Sequence, residues 1–250
     1  MPNIAEIKRM SADMLASERV GADRIKETTP AESSLGLEAF CLSLGGAAPM
    51  FVPVVDDEHG LFGWCSDGVL EKVKADGGEI VFGWSIWEWP EVLRTAEFHA
   101  VWKSPAGELM DITPKPRGEQ RILFVQDDSY PRDFNFDHRP GNRRQRAYVA
   151  PDKVEMAKQR IDALKPHQIE YETKRAQKAG MSLQQWFEAK VPEDKLTQLI
   201  DEMISACDAH EEYFDSLGAS GEVYADARLR QLLRRRAAAQ IALTAAVTGK

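Results

Sequence analysis

Residues 65–78, CSDGVLEKVKADGG, are followed by three aromatic and β-branched runs: EIVFGWSIWEW at 79–89, EFHAVWK at 97–103 and ELMDIT at 108–113. In the first stretch Val69, Leu70 and Val73 form one helical face and Gly77-Gly78 supply a stop, so Cys65 opens a helix. The runs that follow have strand composition, and Pro105-Ala-Gly107 reads as a hairpin-type turn between the last two. RILFV at 121–125 adds a further strand. A helix followed by antiparallel strands is an α+β layout.

Upstream, Pro49–Val55 reads as a short strand and Asp56–Gly60 as the turn that leaves it. Before that, Ile4, Ile7, Met10, Met14 and Leu15 mark a helical appendage, which a polar stretch, Lys26–Pro30, separates from the rest. Downstream, Asp127–Arg146 is rich in Asp, Arg, Pro and Asn and lacks periodicity, so it is expected to be a long surface or partner-facing loop. Beyond Pro151 the pattern is helical. One set is Val154, Ala157, Ile161 and Leu164, the next Leu183, Trp186 and Phe187, and the third runs from Leu196 to Cys207. A last helix is expected over about Val223–Val247. The chain thus divides into an N-terminal appendage (1–34), a core (35–150) and a helical region (151–250).

The core holds a set of residues suited to nucleophilic chemistry. A cysteine nucleophile acts as its thiolate, which a helix N-terminus favours through unpaired N–H groups and the macrodipole; Cys65 has that position. Alternation puts Phe98, Ala100 and Trp102 on one face of their strand and His99 and Val101 on the other, so the imidazole of His99 is available as a base. Across the 105–107 turn Asp111 can lie beside His99, fixing its tautomer and stabilising the imidazolium. Asp127 and Asp128, at the end of the next strand, are alternative orienting groups, since a carboxylate before Thr-Pro can simply cap a turn. Oxyanion donors are the backbone N–H groups at Cys65 and Ser66, with the indoles of Trp64 and Trp84 as further candidates. Trp84, Trp87, Trp89 and Trp102 lie beside the expected cleft as core or as a substrate platform, Trp102 being a candidate substrate contact.

The stretch from Trp64 to Pro114 resembles the core of the transglutaminase-like cysteine enzymes, a branch of the papain-like fold. In that family a cysteine opens a helix, and a histidine and an aspartate follow on adjacent strands. His99-Ala-Val-Trp102, the Gly107 turn and Asp111-Ile-Thr-Pro114 carry the likeness, while Gly63-Trp64-Cys65-Ser66 departs from the family's Cys-Trp order. The resemblance implies a papain-like or transglutaminase-like core with a C-terminal helical region. It implies attack on an amide or peptide carbonyl through a thioester, resolved by water or an amine, with hydrolysis the simpler outcome.

Composition narrows the rest. With 43% hydrophobic and 29% charged residues the chain is ordinary for a globular protein, and no apolar run could cross a bilayer or serve as an export signal, so a cytoplasmic location is expected. Cys41, Cys65 and Cys207 are too scattered for a disulfide framework, and Cys41 and Cys207 fall on apolar faces as core thiols. His59, His138, His167 and His210 have no metal-ligand spacing and read as surface residues, so neither metal nor cofactor is expected. A net charge of -8 argues against nucleic acid as a partner. The basic stretch Arg228–Arg236 reads as a solvated helix face or an acidic-partner contact. The expected partner is therefore an amide-containing substrate, either protein, peptide or small molecule. The rival reading is a non-catalytic adaptor whose C-terminal helices bind a protein or a second copy.

Overall fold

The computed structural model describes residues 3–21, 26–217 and 224–249. Among them the chain is α+β. The first elements are α1 (Ile4–Val20), α2 (Leu35–Ser43), β1 (Met50–Pro53) and α3 (Cys65–Asp76). Five strands follow: β2 (Glu79–Trp89), β3 (Leu93–Lys103), β4 (Leu109–Met110), β5 (Arg121–Gln126) and β6 (Arg143–Arg146). Helices α4 (Lys153–Asp162), α5 (Pro166–Lys178), α6 (Leu183–Glu188), α7 (Lys195–Ser216) and α8 (Ala227–Thr248) complete the order.

All strand pairs are antiparallel. β2 and β3 pair along their full length, from Glu79 opposite Lys103 to Trp89 opposite Leu93. β5 lies between β2 and β1, while β4 and β6 share the other edge of β3. Just past β1, Val54 makes a parallel bridge to Asp111. Val55 N–H donates to Asp111 O and Asp111 N–H to Pro53 O, both at 2.9 Å. The sheet therefore curls until its first strand meets the chain leaving β4, and Asp111 sits at that junction.

Alternation along the strands sorts side chains into two faces. One face carries Ile80, Phe82, Trp84, Ile86, Phe98, Ala100 and Trp102, packed with Val69 of α3 and Leu37, Phe40 and Cys41 of α2. On the other face Val52, Val101, Ile122 and Phe124 form a second apolar cluster, bordered by Val81, Trp87 and Leu109. A third cluster joins Trp89, Val92 and Leu93 to Ile200 of α7 and Leu243 of α8. The α3–β2 turn is tight: Gly77 and Gly78 have φ of 74° and 82°, a region that disfavours side chains with a Cβ.

Several boundaries differ from the sequence reading. β3 begins at Leu93 rather than Glu97, because a tight turn with Val92 N–H donating to Trp89 O returns the chain at once. β4 is only Leu109–Met110, since Asp111 leaves β3 to bridge Val54. The 127–146 stretch is not wholly a loop. Its end is strand β6, and Tyr130, Phe134 and Phe136 pack on Phe82 and Phe98, with Tyr130 and Phe98 centroids 4.5 Å apart. Helix α5, with Pro166 in its first turn, has too polar a face to be seen by apolar periodicity. The expected start of the last helix, Val223, lies outside the described residues; α8 starts at Ala227, where Asp226 accepts from Leu229 N–H. Among the described residues no helix is long and apolar enough to cross a membrane.

Candidate functional site

α3 starts at Cys65 with Trp64 as its N-cap, and no side chain caps it. Gly68 N–H donates to Trp64 O, and among the described residues no acceptor meets the N–H groups of Cys65 or Ser66. A helix start left open in this way is suited to an anionic oxygen or sulfur.

Two glycines draw this helix start against the segment that carries Asp111. A Cβ on Gly60 would stand 2.2 Å from Ile112 O, and one on Gly68 would stand 2.5 Å from His59 O. The 57–61 turn is thus wedged between the first turn of α3 and the residue following Asp111, with backbone against backbone. Lys72 of α3 holds the same turn through Asp57, Nζ to Oδ2 at 2.6 Å. Cys65 is buried at this edge and belongs to the same apolar cluster as Ile112.

His99 and Asp111 are brought together. Nε2 of His99 lies 3.1 Å from Oδ1 of Asp111, an ion-pair contact without an aligned hydrogen bond. Oδ1 also accepts Thr113 N–H at 2.9 Å, and Oδ2 faces Lys115 Nζ at 2.6 Å. Asp111 has no exposed surface, while His99 and Lys115 are 5% and 6% exposed. Burial opposes the charged imidazole, but the charges of Asp111 and then Cys65 outweigh it and hold His99 up at about 10. For Asp111 burial is likewise outweighed, by His99 and Lys115, and its carboxyl stays far below the usual range. No hydrogen bond joins Cys65 to the imidazole among the described residues. The resulting order of groups is Cys65, His99, Asp111, Lys115.

The other candidate residues divide. Asp111, rather than Asp127 or Asp128, stands beside His99. Asp127 instead accepts from Ser129 Oγ at 2.6 Å and from the Trp84 indole at 3.3 Å, and Asp128 accepts from Gln126. With its N–H committed, Trp84 is a core residue, fully buried and edge-on to Phe98, rather than an oxyanion donor. Trp102 donates to Gly77 O at 3.0 Å and closes the end of α3. Ser66 is buried at the helix start, and Trp64 is half-buried with its indole N–H unengaged among the described residues. Cys41 and Cys207 are core thiols, and burial pushes both up, Cys41 to about 11. His138 and His167 are exposed, but His59 and His210 are half-buried, His210 stacking near Phe214.

Sequence reasoning missed Lys115. Its signal was the spacing Asp111 to Lys115 with prolines on both sides, Pro114 and Pro116, which stiffen the segment and return the ammonium to the carboxylate. Among the described residues no group of three or more His, Cys, Asp or Glu is placed to hold a metal ion. No family model, curated protein or solved structure matches the chain.

Proposed function

We propose that the chain is a cysteine-dependent hydrolase or acyltransferase of transglutaminase-like or papain-like type, acting on an amide or peptide carbonyl. One observation carries this reading: a buried imidazole–carboxylate pair, His99 and Asp111, lies within electrostatic reach of a cysteine that opens an uncapped helix. A structural thiol needs neither a buried imidazolium nor a free helix start.

In the proposed reaction the Cys65 thiolate attacks the carbonyl carbon. The C=O electron pair moves onto oxygen, and the N–H groups of Cys65 and Ser66 receive that oxyanion. As the tetrahedral species collapses the C–N bond breaks, His99 gives its proton to the leaving amine, and a thioester remains on Sγ. Water, or an amine for transfer, then attacks the thioester while His99 takes its proton. Collapse expels the thiolate and restores the thiolate–imidazolium pair. Asp111 keeps the imidazole oriented throughout.

The test is the pH dependence of iodoacetamide labelling, resolved by site in wild type and in His99→Ala. Near pH 6 Cys65 is expected to label much faster than Cys41 and Cys207, whose thiols burial holds up, and to lose that advantage without His99. A Cys65 that reacts no faster than the other two in wild type overturns the proposal. It would favour the adaptor reading, which the helical region supports on its own account. α4–α6 form a unit with its own ties: Trp186 indole to Glu172 at 2.6 Å, Lys190 to Glu172 at 2.7 Å, and Gln184 to Val154 O at 3.0 Å.

A further inference from the structure

Lys115 is a lysine with almost no exposed surface, and its ammonium lies 2.6 Å from the carboxylate oxygen that His99 does not use. Its approach is fixed from three sides. Pro114 and Pro116 restrict the backbone on either side, Thr113 N–H holds Oδ1 of the same carboxylate, and the Trp87 ring of β2 lies 5.7 Å from Nζ. A lysine needed only for solubility or surface pairing would extend into water, as Lys174 does on α5.

We propose that Lys115 is a positioning residue of this site: it clamps Oδ2 of Asp111 so that only Oδ1 is presented to His99, and it offsets part of the carboxylate's charge. The inference rests on the cysteine-enzyme reading above for its consequence in catalysis, but the clamp itself is independent of it. Asp111 strengthens the hold of the imidazolium on its proton, and Lys115 acts against it. A second cation on the far oxygen loosens that hold and restores net neutrality to the four charges. The groups acting on His99 are Asp111 and Lys115 from the segment after β4, and Cys65 from α3. Those acting on Asp111 are His99 and Lys115.

The experiment uses the full chain with Lys115→Met and Lys115→Arg, read in two ways. One is the NMR titration of the His99 ring, and the other is the pH profile of Cys65 alkylation. Lys115→Met is expected to shift the His99 titration upward. It should also move the lower limb of the alkylation profile to higher pH, so that labelling on that limb, below its midpoint, falls about tenfold, the effect of roughly one pK unit. Lys115→Arg retains the charge and is expected to keep the limb where the wild type has it. If Lys115→Met does not fold, Lys115→Gln, which is polar but uncharged, carries the same expectation. Uncharged variants that melt earlier yet keep the wild-type His99 titration and limb would reduce Lys115 to a structural ion pair and overturn the proposal. If wild-type Cys65 shows no labelling advantage while the His99 titration still moves, the enzyme reading fails and the clamp stands.

Discussion

The molecule buries charge in two places, and they are built differently. At the sheet junction His99, Asp111 and Lys115 are each nearly or wholly without exposed surface. At the seam between β6 and α7, the Arg144 side chain is 8% exposed, but its partners Asp208 and Glu211 have side chains 52% and 28% exposed. Carboxylates that keep part of their hydration lose little on pairing, so the Arg144 cluster works as a clamp that docks α7 on the sheet edge. Full burial of three ionic groups costs far more, and apolar residues of the same volume often serve stability as well or better. A costly arrangement placed under an open helix start points to chemistry, whereas the cheaper one points to assembly.

The sharpest break in this comparison is Asp111→Ala. It strands two buried cations at once, and loss of one member of a buried pair costs about 3–5 kcal/mol. The denaturation midpoint is expected to drop accordingly, and Cys65 should lose its labelling advantage. Asp111→Asn, which still offers Thr113 N–H an acceptor, should lose less stability but the same reactivity. A midpoint unchanged in Asp111→Ala would mean that these side chains do not depend on one another, and the contrast between the two clusters would collapse.

Arg144→Ala should be milder and local. Its charge-assisted hydrogen bonds to Asp208 and Glu211 are worth about 1.5–3 kcal/mol, because the carboxylates it abandons can rehydrate. Amide exchange is expected to speed up in α7 and α8 and to stay slow in β2 and β3, while Cys65 alkylation keeps its wild-type profile. If alkylation falls together with exchange protection in α7, the two clusters form one cooperative unit and the division of labour is wrong.

How far the sequence revealed this arrangement follows the same division. Patterns of period two and 3.6 exposed the strands that pack on both faces and the helix behind Cys65, because burial there is regular. Cys65, His99 and Asp111 could be named because each stands at a legible place: a helix start, an alternating strand and the far side of a turn. Contacts made by irregular chain were not legible. Nothing local says that Gly60 must admit Ile112 O, that Trp84 and Trp102 spend their N–H groups on Asp127 and Gly77, or that Lys115 turns inward. Helix α5 and strand β6 escaped for a related reason. Of α5 only Ala176 is fully buried, and β6 reads Arg-Arg-Gln-Arg, so neither carries an apolar signature.

The two places should also differ in how their stability depends on pH. His99 is held at about 10, above its ordinary value near 6.5, so the native state binds the proton more tightly than the unfolded chain does. Its contribution to stability is fully present below about pH 6.5 and is lost as pH rises toward 10, at no more than about 1.4 kcal/mol per unit. Asp111 runs the other way. Its pKa is depressed, so its contribution is present above the ordinary carboxyl value near 3.9 and is lost only as pH falls toward the native value. Arg144 is held still higher than an ordinary guanidinium by Glu211 and Asp208 against the cost of its burial, and it stays charged throughout this range. The stability gap between wild type and His99→Gln should therefore narrow from pH 6.5 to 10, while the gap to Arg144→Ala stays level. A gap to His99→Gln that is flat over the same range would mean that His99 is neutral in the folded protein. The buried network would then hold one cation, Lys115, on Asp111, and in the proposed reaction the proton for the leaving amine would have to come from elsewhere.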